Sequence, residues 1–156
     1  GATPEKGENA ILKMAALLVE LDAGFREQLD AHTDPVLGSS TMNIGTCQGG
    51  TRDNIVPDSC RARIDMRLTP SLPPAQALAL LEDFLRDRDV SAKVKSLLQT
   101  TPLATDPDNE FVQRLASLGA PLAGAPWFCD AAVLASAGIP GVAIGPGSIA
   151  QAHTKE

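Results

Sequence analysis

The stretch "CRARIDMRL", residues 60–68, decides the fold. Its apolar side chains alternate with charged ones, which is the period of a β-strand with one buried face and one solvent-facing face. The stretch "TMNIGTCQ", residues 41–48, alternates in the same way and is rich in strand-forming residues. We therefore predict that the two strands pair as an antiparallel hairpin, joined by a long loop that contains Gly49, Gly50 and Pro57.

Helical patterns flank this hairpin on both sides. Apolar residues recur at three- and four-residue steps over residues 9–29, where Asn9 is the predicted N-cap and Gly24 weakens the helix without ending it. A second helix is predicted after Ser71 or Pro73, and its buried stripe is expected to be Ala77, Leu81, Phe84 and Leu85.

Alternation returns over residues 90–97 and predicts a third strand. The order helix, strand, strand, helix, strand predicts an α/β fold class: a split βαββαβ (α+β) sandwich that lacks its first strand, with both helices on one face of the sheet.

The pattern changes after residue 99, where a Pro- and Asp-rich linker predicts a domain boundary. Beyond it we predict a helix that ends at Gly119 and a short helix capped by Asp130. The apolar run at residues 139–145 predicts a buried parallel strand that leads into a glycine-rich loop. We expect domains at 1–99 and 100–156, the second being only part of a layered α/β domain.

Composition excludes several classes of partner. The 156 residues carry a net charge of −6, which argues against nucleic acid or an anionic membrane as the main partner. There is no apolar run of the about 18 residues that span a bilayer, and the N-terminus does not resemble a signal peptide. The three cysteines are expected to be free thiols in a reducing cytoplasm. Cys47 and Cys60 could also lie opposite each other across the hairpin, so a disulfide between them is the alternative.

Few residues suggest chemistry on their own. His153 follows a glycine-rich turn and suits a zinc ligand or a general base, but taken alone it is better explained as a surface histidine near a chain end. Cys129 with Asp130 and His153 is a weaker alternative, a thiol nucleophile with its base. The sequence has no CxxC, HxH or HExxH motif, so it contains no self-sufficient metal motif. The arginines of residues 60–68 are either a solvated sheet face or a clamp for a substrate carboxylate.

Four blocks in order carry a family resemblance: "TPEKGENAI", "GGTRDNIVPDSCRARIDMRLTP", "CDAAVLASAGIP" and "GPGSIAQAHTKE". The chain closely resembles the zinc metallopeptidase family of acetylornithine deacetylase, succinyl-diaminopimelate desuccinylase, aminoacylase and carboxypeptidase G. The resemblance implies that residues 1–99 are the lid, or dimerisation, domain and that residues 100–156 belong to the catalytic domain. It also implies a homodimer formed through the lid, and two zinc ions that activate water to attack the amide of an N-acyl amino acid or small peptide.

The resemblance assigns roles residue by residue. His153 matches the last zinc-ligand histidine, and Arg67 matches the lid arginine that grips the substrate carboxylate. Asn54 matches the lid asparagine near the developing oxyanion, while Gly147 and Ser148 fall in the loop that lines the substrate pocket.

The family's other zinc ligands and its general base would precede Gly1. We therefore expect this chain to be a fragment that is inactive alone and binds no zinc stably. The alternatives are a non-catalytic dimerisation module and a regulatory βαββαβ domain that binds an amino acid through Arg67.

Overall fold

The computed structural model describes residues 3–88 and 91–145, and the chain divides into two compact units, Gly1–Gln99 and Thr100–Glu156. The model has mixed helices and small sheets, as the predicted α/β class requires. A 3₁₀ turn at Pro4–Lys6 begins the described part of the first unit.

One continuous helical segment follows, made of α1 (Ala10–Glu20), a π-helical turn (Leu21–Phe25) and α2 (Arg26–Asp30). The Asn9 side chain accepts hydrogen bonds from the backbone N–H groups of Ile11 and Leu12 at 3.0 and 3.2 Å, which confirms the predicted N-cap. Gly24 lies in the π-helical turn, and a Cβ there would come 3.4 Å from the Phe84 ring. Because Gly24 has no side chain, the helix that carries Phe84 (Pro74–Arg86) can pack closely against this segment.

Two antiparallel hairpins come next. β1 (Thr33–Asp34) pairs with β2 (Gly38–Ser39), and β3 (Thr41–Gly49) pairs with β4 (Cys60–Arg67). The second of these is the predicted hairpin, and its existence is confirmed. The register of β3 shifts by one residue between Ile44 and Thr46, so Gly45 forms a β-bulge that the sequence pattern does not predict.

The helix α3 (Pro74–Arg86) begins after Pro73, as predicted. All four residues of its expected stripe, Ala77, Leu81, Phe84 and Leu85, are buried. They join one core with apolar residues of the first helical segment and with Met42 of β3, and the inward residues Ile44, Ile64 and Met66 pack against that core. Both helical segments therefore contribute to a core on the apolar face of the hairpin.

The predicted strand at 90–97 is wrong over its described part. Residues 91–97 form no strand, and their side chains are exposed. A strand forms only where a neighbour satisfies its backbone hydrogen bonds, and within the described residues β3 and β4 pair only with each other. The alternation of residues 91–97 is therefore not enough for a strand, which also needs a neighbouring strand to bond with.

The second unit contains α4 (Glu110–Ser117) and α5 (Ala131–Ser136). Gly119 and Gly138 follow these helices with φ of +94° and +82°, the left-handed conformation expected of residues that end helices. Asp130 occupies the N-cap position of α5, as predicted, but its side chain makes no capping hydrogen bond.

Residues 139–145 form no strand, and Ile139 and Ile144 are 55% and 65% exposed. The prediction of a buried parallel strand is therefore wrong for this segment. A wholly apolar strand needs sheet neighbours on both sides, and the described part of this unit contains no strand at all.

Candidate functional site: the polar face of the hairpin

The face of the hairpin opposite to the core is polar and exposed. Arg61, Arg63, Asp65 and Arg67 all point to this side of β4 and alternate with the half-buried Cys60, Ala62, Ile64 and Met66. Across the ladder they lie opposite polar residues of β3, namely Gln48, Thr46, Asn43 and Thr41. Three guanidinium groups against one carboxylate make this strip positive on an acidic chain, which suits an anionic ligand such as a carboxylate.

Arg67 lies at one end of the strip. Its Nε donates to Oδ2 of Asp65 at 2.7 Å, and the two side chains are 65% and 57% exposed. At this exposure the pair contributes little to stability. The contact uses Nε, and the terminal Nη1 and Nη2 groups are the fork that binds a carboxylate in bidentate fashion.

A buried hydroxyl network holds the strand ends beside Arg67. The Thr69 backbone N–H donates to Oγ of Ser40 at 3.0 Å, and the hydroxyls of Thr69 and Ser71 lie 2.9 Å apart. The Ser71 hydroxyl donates to the His32 carbonyl at 3.0 Å. Ser40 and Thr69 are only 3% and 6% exposed, so this network fixes where β3 begins and β4 ends. The sequence analysis does not predict this network, because the hydroxyls of Ser40, Thr69 and Ser71 belong to no recognisable motif.

Asn54 lies at the other end of the hairpin, in the loop of residues 50–59, and its side chain is exposed. The loop is tied to the start of the first helical segment, since Ala10 N–H donates to the Pro57 carbonyl at 2.9 Å. A turn in which Ile55 N–H donates to the Arg52 carbonyl at 3.3 Å encloses Asn54.

The structure does not bring Asn54 and Arg67 together within one chain. Arg67 pairs with Thr41 at the open end of the hairpin, whereas Asn54 lies beyond Cys60 at the loop end. At about 3.3 Å per residue, β4 places roughly 23 Å between Cys60 and Arg67. The strand thus separates Arg67 from the start of the Asn54 loop by more than the length of a small substrate.

The remaining predicted site residues, Gly147, Ser148 and His153, lie outside the described residues. Within 3–88 and 91–145, no group of three or more His, Cys, Asp or Glu side chains is arranged to hold a metal ion. His32 is half-buried, and its Nδ1 lies 3.0 Å from the Gln28 carbonyl, a local contact at a helix end. The described part of the chain therefore does not fit a zinc site by itself.

The two hairpin cysteines are free, and their sulfur atoms lie 3.6 Å apart. The bulge at Gly45 produces this contact. Strict alternation from Thr41 would place Cys47 on the polar face, and the extra residue turns it to the face of Cys60 instead.

No helix within the described residues is both long and apolar enough to cross a membrane.

The similarity to known proteins extends over both units of the chain. Residues 1–93 match the model of a peptidase dimerisation domain. The acetylornithine deacetylase of Myxococcus xanthus is 30% identical over 97% of this chain, and that of Proteus mirabilis is 31% identical over 96%. A probable carboxypeptidase of Paracoccidioides lutzii is 33% identical over 45% of the chain.

The chain spans about two fifths of the length of the two deacetylases, 42% and 41% respectively. It covers 16% of the carboxypeptidase. The family match takes in the helical segments and the hairpin described above, and the similarity to the deacetylases continues into the second unit. The chain belongs to the M20 family of zinc metallopeptidases.

Proposed function

We propose that this chain is the dimerisation domain and an adjoining catalytic-domain segment of a zinc-dependent amidohydrolase that cleaves the amide of an N-acyl amino acid or small peptide. The observation that carries the proposal is the similarity to acetylornithine deacetylases over 97% of the chain, which is not confined to the dimerisation domain. The enzyme is a cytoplasmic one in this proposal, consistent with the three free thiols.

In this proposal Arg67 binds the substrate carboxylate. Its exposed position on a positive strip supports the role, as does Asp65, which orients the guanidinium through Nε. Asn54 donates its amide to the developing oxyanion. Gly147 and Ser148 line the pocket, and His153 provides one ligand to the two zinc ions. When bound, zinc supplies a hydroxide near neutral pH. The other ligands and the general base come from outside this chain, so the chain alone is inactive and holds no zinc stably.

The separation of Asn54 from Arg67 makes a homodimer part of the proposal. In this proposal the Asn54 and Arg67 side chains that serve one substrate come from different copies. Two features of the first unit support self-association: β3 and β4 each have an unpaired edge within the described residues, and α1 exposes Leu12 and Val19.

Sedimentation velocity tests the dimer. We expect the wild-type chain to sediment as a dimer and Val19→Glu to weaken the association. Val36→Glu is the matched control, because Val36 is 69% exposed against 70% for Val19 but lies in the β1–β2 turn. A strict monomer at the highest soluble concentration, or equal weakening by both variants, would contradict the proposal.

A chimaera tests the catalytic roles. This chain replaces the matching segment of the Myxococcus xanthus deacetylase, and the zinc-loaded chimaera is assayed on N-acetylated amino acids. Arg67→Ala should raise KM about 10- to 100-fold, the loss of a charged hydrogen bond, while Arg61→Ala on the same face should change it less than about twofold. Equal effects of the two variants would refute the Arg67 assignment. Hydrolysis by the isolated chain with added zinc would refute its inactivity.

A further inference from the structure

We propose that Cys47 and Cys60 form a reversible disulfide when the chain meets an oxidising thiol pool, and that this bond ties the two ends of the loop of residues 50–59. The sulfur atoms of the free thiols are 3.6 Å apart. A disulfide bond is about 2.0 Å long, so closure needs an approach of only about 1.6 Å. This inference does not depend on the proposed function, since it concerns the two thiols alone.

The ladder places both cysteines on one face of the hairpin. Cys47 lies opposite Ala62 and Cys60 lies opposite Gly49, so the two cysteines are diagonal neighbours on one face of the ladder. A Cβ at Gly49 would come 2.9 Å from the Cys60 sulfur. The absence of a side chain at Gly49 therefore leaves room for the Cys60 sulfur above the neighbouring strand, within reach of Cys47.

The two thiols differ in their surroundings. Cys47 is exposed, whereas Cys60 is half-buried. Burial raises the pKa of the Cys60 thiol, and the hydrogen bond with Cys47 raises it further, against an opposing backbone hydrogen bond at Arg61. Cys60 therefore stays protonated near neutral pH, and Cys47 is the thiol that an oxidant reaches first.

The oxidant in this reaction is a small-molecule disulfide such as glutathione disulfide, and the exchange balances in two steps. The Cys47 thiolate attacks one sulfur of glutathione disulfide, which forms a mixed disulfide and releases one glutathione thiolate. Cys60 loses its proton to solvent and attacks the Cys47 sulfur, which forms the protein disulfide and releases the second glutathione. The protein loses two electrons and two protons, and one glutathione disulfide becomes two thiols.

The consequence falls on the loop that carries Asn54. Cys47 is near the end of β3 and Cys60 begins β4, so the bond would close the chain into a ring that contains the whole loop. Such a ring restricts the conformations of the loop, including those needed for trypsin to cut after Arg52.

The test is a glutathione redox titration of the whole chain, quenched with a thiol-blocking reagent and digested with trypsin without reduction. Cleavage after Arg26, Arg52 and Arg61 gives peptides 27–52 and 53–61, each with one of the two cysteines, and Cys129 falls in peptide 115–155. We expect 27–52 linked to 53–61 in a product with the mass of one chain. The equilibrium constant for the bond should be at least about tenfold larger in the folded chain than in urea, because folding raises the effective concentration of the two thiols.

Matched variants distinguish the roles of Cys47 and Cys60 from that of Cys129. Cys129→Ser should form the linked peptide as the wild type does, and Cys60→Ser should accumulate the glutathione adduct on Cys47. In the intact oxidised chain, trypsin should cut more slowly after Arg52. Absence of the linked peptide, linkage only between two chains, or an equilibrium constant no larger than in urea would overturn the proposal.

Discussion

The rings of Phe25 and Phe84 meet edge to face, with centroids 5.5 Å apart and planes at 73°. Both residues are almost completely buried, at 0% and 1% exposure. The contact joins the first helical segment to α3, and Arg88 stacks its guanidinium 3.5 Å from the centroid of Phe84. Arg88 also pairs with Glu20 of α1 at 2.8 Å, so the same helix pair is connected at its surface.

Truncation of Phe84 should be among the most damaging changes in the first unit. Phe84→Ala removes a buried ring and leaves a cavity, which should lower the free energy of unfolding by about 3–5 kcal/mol. Val36→Ala, at a position that is 69% exposed and lies in the β1–β2 turn, should change it by less than about 0.5 kcal/mol. Urea unfolding followed by circular dichroism measures both, and similar losses for the two variants would contradict the assigned core.

The buried hydroxyl network beside Arg67 predicts an asymmetry between two serines. Ser40→Ala leaves the Thr69 N–H without its acceptor in a dry environment, which should lower the free energy of unfolding by about 1–3 kcal/mol. Ser59→Ala removes only an exposed contact with Asp58 and should have little effect. Equal urea midpoints for the two variants would show that the network does not hold the strand ends.

A methyl group at Gly49 should be costly, and one at Gly45 should not be. The added Cβ would come 2.9 Å from both Cys60 and Ile11 at position 49, whereas its nearest neighbours at position 45 are 3.8 Å away. Gly49→Ala should therefore lower the free energy of unfolding by roughly 1–3 kcal/mol, and Gly45→Ala by much less. The same Gly49→Ala chain should form less of the Cys47–Cys60 linked peptide, because the Cys60 sulfur is displaced.

The ion pair of Glu8 and Lys13 predicts a pH effect of defined sign. The side-chain hydrogen bond and charge of Lys13 lower the pKa of Glu8 below its ordinary 4.5. A lowered folded-state pKa means that the pair stabilises the fold above about pH 4.5, and that this stabilisation is lost as the pH falls through the lowered pKa. An NMR titration of the Glu8 carboxyl should show its pKa rise in Lys13→Met, and an unchanged value would refute the pair. Both side chains are largely exposed, so we expect the effect on stability to be small.

Helices and the central hairpin could be predicted from the sequence because their signals are local. The helical spacing predicts one buried stripe of Ile11, Met14, Leu18, Leu21, Phe25 and Leu29. The last three are buried and Met14 and Leu18 pack against the core, whereas Ile11 is 37% exposed. Likewise, the alternation at 60–67 fixes which side of β4 is apolar. Local capping signals placed both Asn9 and Asp130 at N-cap positions. Only Asn9 makes the side-chain hydrogen bonds of a cap, because Asp130 has helical backbone angles.

The strands predicted at 90–97 and 139–145 failed for a different reason. A strand is completed by a neighbour that is distant in sequence, and the described residues provide none for 91–97 or for 139–145. The roles of Gly147, Ser148 and His153 stay predictions, since they lie outside the described residues.

The sequence by itself determined the helical segments, the hairpin and its apolar face, because each depends on a periodicity that neighbouring residues set together. Only the tertiary structure decided that Cys47 faces Cys60 and that Asn54 and Arg67 lie at opposite ends of the hairpin. The first depends on a one-residue bulge at Gly45, which reverses the face of every residue after it in β3. The second depends on the length of β4, which separates two residues that the sequence places only thirteen positions apart.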